Sequence, residues 1–224
     1  MRSRLLPART LAVAVAATTL LVSGCGSGDD WSRPHAKPTA VGTPGAGFFP
    51  AASPAPEATI TPGPGSWSGV RPPEGYRVVL LTAGEDRQTR TLVDAVKEWA
   101  EEERVSLRTV TATRPDQYVP SIGRAMEMKP DLIVSAGQDL VDALALVTPN
   151  HLDQRFLVVG AELAEPTANV TAADWAGASF RGEGLGMSST YDPASFTPER
   201  AGRALRAGVT AVLTGMTGIV LWLD

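Results

Sequence analysis

Arg77-Val78-Val79-Leu80-Leu81-Thr82 is a short, continuous apolar run. It decides the fold, because a strand that is apolar on both sides must be buried on both faces of its sheet. An antiparallel sheet with one wet face would alternate instead. Toward the C-terminus, residues 88–103 predict a helix with Leu92, Val96 and Trp99 on one face and charges opposite. Residues 105–112 alternate as a second strand. Pro115-Asp116 opens a helical stretch in which Tyr118, Ile122 and Met126 share a face and Pro120 delays the start. Asp131-Leu132-Ile133-Val134-Ser135-Ala136-Gly137 is a third strand with its turn, and residues 138–147 form a helix through Leu140, Leu144 and Val147. Arg155-Phe156-Leu157-Val158-Val159-Gly160 is a fourth buried strand. The alternation β-α-β-α-β-α-β predicts an α/β domain: an open parallel sheet with helices on both faces and right-handed crossovers.

Beyond Ala161 the rhythm breaks. Residues 162–197 are rich in Gly, Ser, Thr and Pro, with a short strand at 169–172 inside a long surface excursion. A last helix, residues 198–214, brings Leu205, Val209 and Val212 to one side, and Gly218-Ile219-Val220-Leu221-Trp222-Leu223 is a final strand. Residues 208–223 carry no charge, but Gly215 and Gly218 interrupt them and they are too short to span a bilayer. An apolar terminal strand needs cover, from its own sheet or from a second copy, so a homodimer is expected if that strand lies at an edge.

Upstream of Tyr76 the composition changes. Residues 25–75 are dominated by Gly, Pro, Ser, Ala and Thr, as in Thr43-Pro44-Gly45-Ala46-Gly47, and predict a disordered, partly extended tether with no core. Trp31, the Phe48-Phe49 pair and Trp67 are assigned no role in it. Before the tether, Arg2, Arg4 and Arg9 precede an apolar run at 11–22 broken only by Thr18 and Thr19. Residues 1–24 therefore read as a signal peptide, too short for a spanning helix. The run ends Leu21-Val22-Ser23-Gly24-Cys25, which resembles the lipobox of bacterial lipoproteins, where the cysteine is acylated and the chain is cut before it. Cys25 is the sole cysteine, so no internal disulfide is possible, and lipidation gives the odd thiol a purpose. The expected location is the outer face of the cell membrane, with residues 76–224 as the exported domain. Cleavage removes three arginines and no acid, taking the net charge from −4 to −7. Without a basic stripe, nucleic acid is excluded as a partner.

Two stretches resemble a known family. Asp116-Gln117-Tyr118 through Ile122, then Pro130-Asp131-Leu132-Ile133-Val134 and Gly137, is similar to the first lobe of type I periplasmic binding proteins. Arg203-Ala204-Leu205-Arg206-Ala207-Gly208-Val209-Thr210-Ala211-Val212-Leu213-Thr214-Gly215-Met216-Thr217-Gly218-Ile219-Val220 resembles a helix and strand of the basic membrane protein family, and Asn169-Val170 also fits. That family comprises solute-binding lipoproteins of ABC importers, several of which take nucleosides. The resemblance, over residues 77–223, implies a substrate-binding component that works with a permease. Two departures stand out. The family's loop after the first strand carries an aspartate and a Phe-Asn pair that grip the ligand, whereas this chain reads Ala83-Gly84-Glu85-Asp86-Arg87-Gln88 and lacks the aromatic. The chain also stops where the family crosses into a second lobe, so a single lobe is expected. The alternative is an envelope lipoprotein that uses its lobe to sense or to bind another protein.

In open parallel sheets ligands bind beyond the carboxyl ends of the strands. The candidate ligand residues are Gly84, Glu85 and Asp86 after the first strand, Gly137, Gln138 and Asp139 after the third, and Ala161 and Glu162 after the fourth. Their carboxylates favour a cationic or hydroxyl-rich solute, while Asp86 and Asp139 are also placed to cap helices. Gly182-Glu183-Gly184-Leu185-Gly186 lacks the lysine and flanking elements of a phosphate loop and reads as a plain loop. His35, in the tether, and His151, in a turn, have no partners at metal or triad spacing, and Ser188-Ser189 form no nucleophile pair. No cofactor, metal or catalytic residue is assigned, and the chain is expected not to be an enzyme.

Overall fold

The computed structural model describes residues 30–223; Cys25 and the signal segment 1–24 lie outside the described residues. Three two-residue strands come first: β1 (Val41–Gly42), β2 (Thr59–Ile60) and β3 (Val70–Arg71). The alternating part follows as β4 (Arg77–Ala83), α1 (Arg87–Glu102), β5 (Ser106–Ala112), α2 (Tyr118–Glu127), β6 (Leu132–Ala136), α3 (Val141–Val147), β7 (Phe156–Val159), β8 (Val170–Asp174), α4 (Pro198–Leu213) and β9 (Ile219–Trp222). β1 and β3 pair antiparallel on their own. The other seven strands form one sheet in the order β2-β9-β8-β7-β6-β4-β5, parallel throughout.

Every residue of β4 is buried, as its unbroken apolar run requires. α1 and α4 pack together over one face, on Leu80, Leu132, Val134 and Leu157; α2 and α3 cover the other, on Val79, Leu81, Ile133 and Phe156. The two layers are what the periodicity predicted. α4 starts where Thr197 accepts from the Arg200 N–H and Pro198 takes the first turn. It lies close on the sheet because Gly208 faces β7: a Cβ there would stand 2.4 Å from Leu157 Cδ1.

The chain leaves β4 for β5 on one side, then crosses back over β4 to β6 on the other. That reversal leaves an open crevice above the carboxyl ends of β4 and β6. α3 is shorter than predicted, because Leu140 is drawn into the core with non-helical dihedrals and the helix begins only at Val141. The short strand predicted at 169–172 runs on to Asp174 as an interior member of the sheet.

The N-terminal segment corrects two expectations. Over residues 30–75 it is not a mobile tether but a belt around the domain. β2 pairs with β9 (Thr59 opposite Val220), Val220 N donates to Ala58 O at 3.0 Å, and Glu57 N donates to Gly218 O at 2.8 Å. β9 is therefore interior, and the exposed edge that would have called for a homodimer is closed by the chain itself. The second correction concerns the aromatics: Trp31, Phe48 and Trp67 are 5%, 1% and 8% exposed. Buried aromatics each remove roughly 150–250 Å² from water, which offsets part of the cost of ordering a Gly-rich segment. No helix among the described residues is long and apolar enough to cross a membrane. The uncharged residues 208–223 divide between α4 and β9.

Candidate functional site

At the end of β4 the chain turns through Gly84 at φ +80° into the first turn of α1. Asp86 caps that helix: Oδ1 accepts from Thr89 N at 2.8 Å and Oδ2 from Thr89 Oγ1 at 2.7 Å. At the end of β6 the chain turns through Gly137 and Gln138, and Asp139 comes to stand over Gly84. A Cβ at Gly84 would lie 2.5 Å from Asp139 Oδ2 and 3.3 Å from Asp86 Oδ2. Glycine is therefore what lets the two carboxylates approach. Of the two acids expected to cap, Asp86 does so; Asp139 does not, since Leu140 holds the N-cap position of α3 and no side chain caps it.

The crevice encloses about 250 Å³ between Asp86, Gln88, Thr89, Gly137, Gln138, Gly160, Tyr191 and Phe196. Asp86 lines it and Asp139 stands beside it over Gly84, and the two acids titrate in opposite directions. Burial opposes ionisation of Asp86, but the Thr89 hydrogen bonds outweigh it and hold the carboxyl below its ordinary value. Asp139 is pushed up, first by burial and then by the charge of Asp86. Tyr191 is raised by burial and by both acids, and Tyr118 by burial and Asp139, which sets both phenols beside the carboxylates. Two acids that repel one another, with phenols and the Phe196 ring close by, gather negative charge and hydrogen-bond acceptors at this point.

The remaining predicted residues lie elsewhere. Glu85 is exposed, its backbone carbonyl accepting from Arg90 Nη1. Ala161 and Glu162 are 0% and 4% exposed and do not line the crevice, because β7 ends at Val159 and the chain turns inward beneath residues 175–192. Glu162 Oε1 lies 3.1 Å from Arg181 Nε and accepts from Ser188 Oγ at 3.1 Å; burial nonetheless raises its pKa. Next to it Asp174, at the end of β8, is wholly buried and neither carboxylate oxygen has a hydrogen-bond partner. Burial, with a contribution from Glu162, pushes Asp174 up to about 8.

Sequence reasoning missed Gln88, Thr89, Gly160, Tyr191 and Phe196 at the crevice. Tyr191 and Phe196 come from the irregular excursion, where no periodicity signals a direction; their aromaticity in an otherwise polar stretch was the available clue. Residues 182–186 form a loop, with Glu183 N donating to Asp142 Oδ1. His35 is not in a free tether but pairs with Asp131 at 2.9 Å, and the His151 carbonyl accepts from the buried Asn169 side chain. No group of three or more His, Cys, Asp or Glu suited to a metal occurs among the described residues. A larger cleft, about 580 Å³, lies at the opposite end of the sheet between residues 49–56 and 214–219, with no charged side chain in its wall.

No protein-family profile and no curated protein matches the chain. Among solved structures it is similar to a solute-binding protein of an ABC transporter system from Aeropyrum pernix K1, at 20% identity and TM-score 0.41 over 45% of this chain and 29% of that one. It is similar to a fragment described as a lipoprotein from Peptoclostridium difficile 630, at 14% identity and TM-score 0.45 over 62% of this chain and 98% of that one. A periplasmic ribose ABC transporter protein from Conexibacter woesei DSM 14684 aligns at 16% identity and TM-score 0.38 over 67% of this chain and 54% of its own. The chain therefore spans 29% and 54% of the lengths of the first and third of these structures.

Proposed function

We propose that this chain is an extracytoplasmic lipoprotein, cut before Cys25 and acylated there, whose α/β domain is a solute-binding lobe of the kind used by ABC importers. Its ligand is a small polar solute, nucleoside-like or otherwise rich in hydroxyls or positive charge, held at the crevice above β4 and β6. One observation carries this reading: Asp86 and Asp139 converge over Gly84 at the point where strand order reverses. The resemblance of residues 203–220 to the basic membrane protein family supports it, and a permease is the partner that resemblance implies. The reading gives the crevice binding and no turnover.

A crevice of about 250 Å³ is small beside the roughly 300–1,000 Å³ of enclosed ligand pockets, so modest affinity is expected from this lobe alone. A thermal-shift screen with nucleosides, sugars, amino acids and small amines tests it. A ligand present at about 100 times its Kd stabilises by roughly 2.7 kcal/mol, and Asp139→Asn should abolish the shift without unfolding the protein. Failure of every class to stabilise the chain would refute the reading. The alternative, an envelope module that senses or binds a protein partner, draws on the openness of the crevice, and copurification from membranes with a sensor or cell-wall enzyme instead of a permease would favour it.

A further inference from the structure

We propose that residues 176–191 form a flap at the rim of the crevice, latched shut by a proton that Asp174 holds beneath it. The latch stands whether or not the crevice takes a solute. The flap is hinged where its two ends meet. Trp175, 0% exposed, donates from Nε1 to Ser195 Oγ at 3.0 Å and meets the Phe196 ring edge-on, with centroids 5.2 Å apart. Asp192 N donates to Gly177 O at 2.8 Å, and Gly177, at φ +105°, permits the close approach: a Cβ there would stand 2.5 Å from Ser195 Oγ. Just inside the hinge, Gly177 N donates to Ser189 Oγ and Ser189 N to Ser179 Oγ, both at 2.8 Å. Beyond these bonds the tip, residues 183–188, is exposed throughout.

Few contacts hold the tip down, and most of them converge on Glu162. Its Oε1 lies 3.1 Å from Arg181 Nε and accepts from Ser188 Oγ at 3.1 Å, while its N–H donates to Phe180 O at 2.9 Å. On the far side Glu183 N donates to Asp142 Oδ1, on α3, at 3.0 Å. Asp174 stands beside Glu162, 0% exposed, with neither carboxylate oxygen bonded. The strands that flank it, β7 and β9, bring no charged side chain. α4 packs on the face of Ala173, opposite the one that Asp174 shares with Ala172. Glu165, Glu183 and Asp192, the other acids of the turn and the flap, are exposed. Among the described residues, Arg181 is thus the cation that faces the two carboxyls. Glu162, bonded to Arg181 and Ser188, takes the charge, and Asp174 keeps the proton.

Loss of that proton would leave a second, unneutralised charge in a dry site, where it is costly. Water reaches it once Arg181 and Ser188 release Glu162 and the tip lifts. Tyr191, at the base of the flap with its ring 6.0 Å from that of Phe196, moves with it, and the crevice loses a wall. Burial and the Glu162 charge push the closed-state pKa of Asp174 up to about 8 from 3.8. The closed flap therefore keeps a proton that the open flap releases, so opening is favoured as pH rises through that window and levels off above it.

Arg181 is the one basic residue of the flap, so tryptic cleavage between residues 181 and 182 reports opening. The test treats the full chain with trypsin over a range of pH and reads the products by mass spectrometry. Rates are normalised to a peptide of residues 177–186, which removes the protease's own pH response. Cleavage at Arg206, within α4, reports global unfolding. The normalised rate at Arg181 should rise roughly tenfold or more between about pH 6 and about pH 8, ahead of any rise at Arg206. Asp174→Asn should flatten the profile, and Asp174→Ser, equally unable to ionise, serves if the asparagine variant fails to fold. Chymotryptic cleavage after Tyr191 should rise in parallel. A flat wild-type profile, absence of cleavage at every pH, the same rise in the variant, or a rise at Arg206 in step would overturn the latch. A rise at Arg181 without one at Tyr191 would overturn the link to the crevice.

Discussion

Asp174→Asn should stabilise this protein, and by an amount that depends on pH. The Asp174 carboxyl is wholly buried beside Glu162, with no hydrogen-bond partner on either oxygen. Its ordinary pKa is 3.8; in the fold it is pushed up to about 8. Between those values the unfolded chain has released a proton that the folded chain keeps, so stability falls as pH rises through that window. Below about pH 4 both states are protonated and nothing is lost. Each unit is worth ~1.4 kcal/mol, which sets an upper bound near 6 kcal/mol above pH 8, and structural relaxation should reduce the effect to about 2–4 kcal/mol. Asparagine keeps the shape without the ionisation. At acid pH it should be neutral or worse by about 1 kcal/mol, since its amide also lacks an acceptor. Urea unfolding followed by circular dichroism at about pH 4.5, 6, 7.5 and 9 measures the difference. It should grow with pH and level off near pH 8. Parallel pH profiles for the two proteins would refute the assignment of a buried, proton-holding carboxyl.

Gly208→Ala should destabilise by about 1–3 kcal/mol in thermal unfolding, because the new methyl would meet Leu157. Trp67→Ala should cost about 3 kcal/mol, an effect that a free tether could not produce; no change in urea midpoint would restore the tether. Asp86→Ala should remove about 1 kcal/mol of capping. Because the cap favours the ionised carboxyl, that loss should fade in acid, and a loss that persists unchanged at low pH would contradict it.

The sheet was legible because its strands are continuous apolar runs, Arg77–Ala83 being the clearest, and because α1 and α4 keep strict helical periods. Helix caps were legible in part: Asp86 occupies the predicted role, but Asp139 is displaced by Leu140, whose burial sets where α3 begins. The belt was not legible. Its three buried aromatics are spaced at 31, 48 and 67, without any period, and Gly and Pro between them report chain stiffness and not what the chain touches. The crevice was half legible: the turns after β4 and β6 follow from topology, whereas Tyr191 and Phe196 arrive from an irregular segment whose path only tertiary packing fixes. Glu162 illustrates the opposite failure, since the turn after the fourth strand predicts a place at the crevice and the side chain instead folds inward against Arg181.

Amide chemical-shift mapping with any solute that stabilises the chain tests the central claim that the crevice above β4 and β6 is the binding site. Saturable shifts at Gly84, Gly137, Gln138, Gly160 and Tyr191, absent in Asp139→Asn, are the predicted result. Saturable shifts confined to the cleft at residues 214–219, or to any surface away from those turns, would contradict it.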